Sequence, residues 1–155
     1  MIPILCPETL VDETIAHLKA AGAVQCECLV LWLAHRLDDR INVVMVHRPE
    51  QRAWRDRFVV DAAEMASLKA LLRKDRLMIA AQVHSHPKEA FHSFADDQGA
   101  FIRHHGALSF VIPYFARDSS VATFLEEAAL FELRQGNRWV LVPSEEVEVR
   151  CQVHP

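Results

Sequence analysis

The stretch that decides the fold spans residues 77–96 and reads LMIAAQVHSHPKEAFHSFAD. Its apolar first part predicts a buried strand over Leu77–Val83. His84 and His86 follow at the end of this strand, and side chains alternate along a strand, so both imidazoles should point to the same face. Pro87 has no N–H to donate and therefore ends the strand. The pattern predicts two imidazoles that can share one metal ion.

A third potential ligand follows in the same stretch. Ser93 and Asp96 stand at the start of a helix predicted over residues 94–105, where a carboxylate can complete a site of two histidines and one aspartate. Three protein ligands leave the fourth zinc position open for water, which is typical of catalytic zinc, and zinc brings the pKa of that water down to about 7. Ser93 and Asp96 also match a helix capping box, which needs no metal, and the two roles are compatible.

A candidate proton carrier lies earlier in the chain. Glu27 interrupts an apolar run over residues 23–34 that predicts a buried strand. Burying a glutamate costs free energy unless the group has a partner or a function. A zinc hydrolase needs such a group to take a proton from water and return it to the leaving amine. The flanking Cys26 and Cys28 are interpreted as small buried hydrophobic side chains rather than as metal ligands.

The rest of the hydrophobic pattern predicts helices inserted among strands. Helices are expected over residues 8–21 and from Asp61, where Glu64 completes a capping pair, and further strands over 41–46, 58–60, 107–112, 130–133, 139–142 and 147–153. This order predicts an α/β or α+β fold with one central mixed β-sheet flanked by helices. No repeat, low-complexity tract or linker divides the chain, so residues 1–155 are expected to form a single domain.

Composition argues against several classes of protein. The chain has 155 residues, 25% of them charged, with a formal net charge of −4, which disfavours nucleic acid as the main partner because phosphate binding needs a basic surface. No apolar run approaches the roughly 20 residues that span a bilayer, and the N-terminus shows no secretory leader. The cysteines have no disulfide-rich spacing, so a cytoplasmic location without membrane attachment is expected.

An early strand glutamate, then H-x-H-P, then S-x-x-D, resembles the signature of the JAMM zinc metalloproteases, also called JAB or MPN-plus. The resemblance covers roughly residues 8–142 and implies a JAB/MPN-like sandwich of the cytidine-deaminase-like kind. Residues 87–92 separate the second histidine from the serine, one residue fewer than in the family's commonest pattern. Compact bacterial members resemble this shorter form.

The family's roles carry over to the matching positions of this sequence. The resemblance implies that Zn²⁺ is bound by His84, His86 and Asp96. It implies that Ser93 stabilises the developing oxyanion and that Glu27 is the general acid and base.

The resemblance also implies a substrate class. It predicts an isopeptidase or peptidase that cleaves after the C-terminus of a ubiquitin-like protein, in deconjugation or precursor processing. Compact bacterial members often work beside activating-enzyme-like and conjugating-enzyme-like proteins, including in antiphage (antiviral) defence. The alternatives are trimming of a sulfur-carrier protein in sulfur transfer and a metal-free MPN scaffold, and scaffolds usually lose the ligands that this chain keeps.

A polar segment between two predicted strands carries four arginines, Arg48, Arg52, Arg55 and Arg57. Extended peptides commonly bind at a sheet edge, so this segment could frame the groove that holds the substrate's tail. Its arginines could meet acidic groups on the folded partner and speed the encounter.

Overall fold

The structure is a computed structural model that describes residues 1–91 and 102–155. In chain order the strands and helices of these residues are β1 Ile4–Pro7, α1 Glu8–Gly22, β2 Leu29–Arg36, β3 Ile41–His47, β4 Arg52–Ala53, β5 Phe58–Val59, α2 Ala62–Asp75, β6 Met78–Ser85, β7 Leu108–Ile112, a 3₁₀ turn Tyr114–Ala116, α3 Phe124–Glu127, β8 Ala129–Arg134, β9 Arg138–Leu141, α4 Ser144–Arg150 and β10 Cys151–His154.

One mixed sheet dominates the architecture. The described residues form an eight-stranded sheet in the order β10-β1-β3-β2-β6-β7-β8-β9, and β4 and β5 form a separate short hairpin. The pairs β1–β10, β1–β3 and β6–β7 are parallel, and the other pairs of the large sheet are antiparallel. The expected central mixed β-sheet flanked by helices is therefore confirmed.

The central strand β2 is buried on both of its faces over residues 29–34, which explains the unbroken apolar sequence of that part; His35 and Arg36 at its end are exposed. Its even-numbered residues Val30, Trp32 and Ala34 belong to a core cluster that also contains the apolar side of α1. Its odd-numbered residues pack in a second cluster with Leu68 of α2. Helices α1 and α2 therefore cover opposite faces of the sheet.

Trp32 anchors the core on the α1 side. Its ring lies 5.2 Å from that of Phe110 and 5.8 Å from that of Phe124, centroid to centroid. Its indole Nε1 donates a hydrogen bond of 2.9 Å to the Thr14 hydroxyl, which itself donates to the Leu10 carbonyl. A buried tryptophan needs such an acceptor, and Thr14 supplies it from within the helix that covers the ring.

Several predicted elements are confirmed and others need correction. The Asp61 carboxylate accepts from the Glu64 N–H at 2.9 Å, so the predicted cap of α2 is confirmed. The strand predicted over 147–153 is wrong in its first part: α4 continues to Arg150, and β10 covers Cys151–His154. The helix predicted over 94–105 lies mostly outside the described residues, but residues 102–105 are not helical.

The described part of the chain contains no helix that is both long enough and apolar enough to cross a membrane.

Candidate metal centre and active site

Two imidazoles converge where β6 ends. His84 is the penultimate residue of β6 and His86 follows the strand, and both side chains are almost completely buried. Their Nε2 atoms lie 3.2 Å apart. Two nitrogens bound to one tetrahedral zinc at 2.0–2.1 Å are separated by about 3.3 Å. The donor chemistry and the spacing of this pair therefore fit two ligands of one zinc ion.

The backbone around the two histidines is fixed from both sides. β6 lies between β2 and β7, with His84 opposite Leu29 on one side and Val111 on the other. Past the end of the strand, the His86 N–H donates to the Ile112 carbonyl at 2.9 Å, and the His86 carbonyl accepts from the Phe115 N–H at 2.8 Å. The sheet therefore sets the position of His84, and the turn after β7 sets that of His86.

Aromatic side chains pack against the imidazoles. The Phe58 ring, from the β4–β5 hairpin, has its centroid 5.8 Å from that of His84. The Phe91 ring meets His86 edge to face at 4.6 Å, and Phe91 itself is about half exposed. These contacts limit the rotation of the two imidazole rings.

Glu27 reaches the same place from the loop between α1 and β2. Its side chain is buried, and its Oε1 lies 4.0 Å from His86 Nε2. This corrects the sequence interpretation in one respect: Glu27 precedes β2, which begins at Leu29, and does not lie within the strand. A loop residue is free of the sheet's alternation, and it can turn a carboxylate toward the histidines while Cys28 packs in the core.

The hydrogen bonds that place Glu27 come from two neighbouring segments. The Glu27 N–H donates to the Trp54 carbonyl of the β4–β5 hairpin at 2.8 Å. The next residue, Cys28, donates its N–H to the Ser85 hydroxyl and accepts from the Ser85 N–H, each at 3.1 Å. Because Ser85 lies between the two histidines, the glutamate loop and the histidine strand are joined directly.

Cys6, Cys28 and Cys151 are buried, as the sequence interpretation expected for Cys28, whereas Cys26 is only partly buried. Burial raises the pKa of the Cys28 thiol, and this outweighs the opposing effect of Arg48. Burial also raises the pKa of Cys6, and raises that of Cys151 to about 12. The thiolate is the form that binds metal or attacks a substrate, so these thiols are packing groups at neutral pH.

Two of the predicted site residues, Ser93 and Asp96, lie outside the described residues. Within residues 1–91 and 102–155 no group of three or more His, Cys, Asp or Glu side chains is placed to hold a metal ion. The structure thus brings together His84, His86 and Glu27, while the positions of the serine and the aspartate stay predictions from the sequence.

The sequence did not reveal a turn that supports the site. Tyr114, Phe115 and Ala116 all have positive φ, between 52° and 57°, although none of them is glycine. The turn is held by hydrogen bonds from the Tyr114 N–H to the Lys88 carbonyl and from the Phe115 N–H to the His86 carbonyl. Nothing in the local sequence indicates this left-handed backbone, because it arises from those contacts with the segment that follows β6.

With this geometry established, comparison with known proteins identifies the family. Residues 7–121 match the family described as prokaryotic homologues of the JAB domain. The match covers most of the chain, and the protein therefore belongs to the JAB family, also called JAMM.

Individual relatives agree with this assignment. The chain is 34% identical over 142 residues to the probable metalloprotease y4jG of Sinorhizobium fredii, covering 89% of this chain and 86% of that one. The solution structure of protein DSY2949 from Desulfitobacterium hafniense has the same fold, with a TM-score of 0.70, 18% identity and coverage of 97% of this chain and 92% of that one. The family and the curated relative together indicate metalloprotease activity and a metal cofactor.

Proposed function

We propose that this protein is a zinc-dependent isopeptidase or peptidase that cleaves after the C-terminus of a ubiquitin-like protein. The observation that carries the chemistry is the buried convergence of His84, His86 and Glu27. The substrate class rests on the family resemblance.

His84 and His86 would supply two zinc ligands, and Asp96 would supply the third. When bound, zinc supplies a Lewis acid that polarises the scissile carbonyl and makes hydroxide available near neutral pH. The two imidazole rings are already held by backbone and aromatic contacts, so little ordering is needed when the metal binds.

Glu27 would move the proton. Its buried carboxylate lies beside the His86 imidazole, and from there it would take a proton from the attacking water and deliver it to the leaving amine. Ser93 would donate a hydrogen bond to the oxygen of the scissile carbonyl as negative charge develops on it.

The first test concerns the metal. Purified protein should contain about one zinc per chain, and the double variant His84→Ala, His86→Ala should lose it, because the two buried nitrogens are expected to be ligands. His104→Ala, His105→Ala is the matched control, since it removes two adjacent exposed histidines. Elemental analysis reads out both variants. Retention of the same zinc in the first variant would disprove the ligand assignment.

The second test concerns the proton carrier. Glu27→Gln keeps the shape of the side chain and should retain zinc, but it should lower turnover by roughly 100- to 10,000-fold. Glu13→Gln, on the exposed side of α1, removes the same charge away from the site and should keep full turnover. Full turnover in Glu27→Gln would remove this residue from the mechanism.

The third test concerns the substrate. Ubiquitin-like proteins fused through their C-terminus to a reporter should be cleaved at the junction, and intact mass should show a break directly after the tail. Reporters joined by an isopeptide bond distinguish deconjugation from precursor processing. Zinc-loaded protein that cleaves neither form, while the partner still binds it, would instead indicate a non-catalytic scaffold.

A further inference from the structure

A groove of about 660 Å³ opens next to residues 84–86, which we call the histidine segment. Pro87, the residue after His86, is part of the groove's wall. The rest of the wall comes from the C-terminal end of α1, the connection between β4 and β5, and the turn after β7. We call it the basic groove, because among the described residues its lining contains Lys19, Arg55 and Arg117 and no carboxylate. A local excess of positive charge is unexpected in a chain whose net charge is −4.

Arg55 is already positioned for a ligand. Its Nη1 donates a hydrogen bond of 2.8 Å to the Gln25 side-chain oxygen, and its guanidinium carbon lies 5.8 Å from the centroid of the Phe115 ring. A guanidinium held in this way loses less conformational entropy when it meets an anion. Arg117 contacts Asp118 at 3.5 Å, but both side chains are 74% exposed, so solvent weakens this pair and leaves Arg117 able to bind another anion.

The apolar part of the groove is fixed by the same contacts that fix the active site. Tyr114 and Phe115 line it, and Tyr114 is 45% exposed. Both belong to the left-handed turn whose N–H groups donate to the carbonyls of His86 and Lys88. A peptide bound on this surface would therefore be held at a fixed distance from His84 and His86.

We infer that the basic groove binds an acidic, extended segment of the substrate next to the scissile bond. This inference rests on the proposed function. The side-by-side arrangement of cations and aromatic rings fits a peptide that carries carboxylate side chains along an otherwise apolar stretch. A peptide is favoured over nucleic acid because the protein as a whole is acidic and presents this charge in one short groove.

The experiment uses two fluorescein-labelled libraries of random octapeptides. One has two adjacent glutamates fixed at its centre and the other has two glutamines. Binding is measured by fluorescence anisotropy on zinc-loaded Glu27→Gln protein, which should hold the peptides without turnover. The glutamate library should bind up to about ten-fold more tightly at low salt, because each exposed ion pair contributes a few-fold, and salt should reduce the difference.

The double variant Lys19→Gln, Arg117→Gln should reduce the preference for glutamate several-fold, because only Arg55 of the three groove cations remains, and should change binding of the glutamine library much less. Lys69→Gln, Arg73→Gln is the matched control, because it removes the same charge from the exposed side of α2. Equal binding of both libraries by the parent protein, or the same loss in the control variant, would overturn the inference.

Three further outcomes separate the hypotheses. Tight binding of a short single-stranded oligonucleotide that needs Lys19 and Arg117, with no discrimination between the libraries, would overturn the inference in favour of nucleic acid. Groove-dependent glutamate preference in a protein that cleaves no ubiquitin-like fusion would refute the proposed function and support the groove as an acidic-peptide site. Cleavage of ubiquitin-like fusions by a protein that shows no preference for the glutamate library would refute the inference about the groove and support the proposed function.

Discussion

Replacement of Gly22 by alanine tests the link between α1 and the histidine segment. Gly22 is the last residue of α1, and a Cβ at this position would lie 2.5 Å from the Phe115 Cβ and 2.9 Å from the Phe115 carbonyl oxygen. Carbon atoms in contact prefer about 3.5–4.0 Å, so the two groups must separate by about 1 Å. Rotation of the Phe115 side chain cannot relieve this, because its Cβ and carbonyl oxygen move only with the backbone.

The expected magnitude follows from two opposing effects. Overpacking of this kind costs about 1–3 kcal/mol. Alanine in place of glycine returns at most about 1 kcal/mol of helix propensity, and less at the last position of a helix. We therefore expect Gly22→Ala to reduce the free energy of unfolding by about 1–2 kcal/mol.

The displacement should also reach the proposed metal site. The Phe115 N–H donates to the His86 carbonyl at 2.8 Å, so movement of the turn shifts the segment that carries His86. Loss of a group that supports a metal ligand typically lowers metal affinity by about 10- to 100-fold, and we expect the lower end of that range. Urea denaturation followed by tryptophan fluorescence gives the stability, and competition with a chelator gives the zinc affinity.

Gly136→Ala is the control for this experiment. Gly136 has a φ of +77° in the β8–β9 turn, and no atom lies within 4 Å of a Cβ built there. Alanine is strained at this φ and should cost about 1 kcal/mol without touching the site. A Gly22→Ala protein with unchanged stability and zinc affinity would refute the proposed contact. Equal loss of zinc affinity in both variants would show that stability alone, and not the Phe115–His86 link, controls metal binding.

Two further predictions concern charge. Burial opposes ionisation of Glu132, but hydrogen bonds from Arg150 and Arg134 outweigh it and hold the pKa of Glu132 below its ordinary value. A lowered carboxylate pKa stabilises the fold above the unfolded value of about 4.3, and this stabilisation is lost as pH falls through the folded value. Glu132→Gln should thus cost about 1–2 kcal/mol at pH 7 and progressively less as pH falls below about 4.3, measured by denaturation across pH. Arg52 is exposed in β4 and lies outside the lining of the basic groove. Because it could meet acidic groups on the folded partner, Arg52→Glu should slow cleavage of an intact conjugate in a salt-dependent way and spare a short peptide. Equal loss on both substrates would contradict docking of the folded partner.

Local sequence signals were sufficient for the elements that build the centre of the sheet. The apolar run of β2 and the 3.6-residue spacing in α1 follow from burial of a strand on two faces and of a helix on one. The Asp61–Glu64 cap is likewise local, since donor and acceptor lie within one helical turn. Such features depend on neighbours in sequence, and the order of residues is enough to predict them.

The errors occurred where local signals conflict. Val147, Val149 and Cys151 alternate with polar residues as in a strand, yet Pro143 before the first turn and the acidic residues that follow favour the helix that forms. β10 then pairs in parallel with β1, which joins the two ends of the chain. No local pattern indicates that pairing, because its two strands are separated by nearly the whole sequence.

The sequence by itself determined the chemistry of the site: which residue types stand near one another, and a spacing that places two imidazoles on one face of a strand. The roles of Ser93 and Asp96 stay predictions of that kind. Only the tertiary structure decided that Glu27 reaches the histidines from a loop, that a left-handed turn fixes His86, and that Lys19, Arg55 and Arg117 line one groove. These relations join segments far apart in the chain, and they exist only after the sheet and its covering helices have packed together.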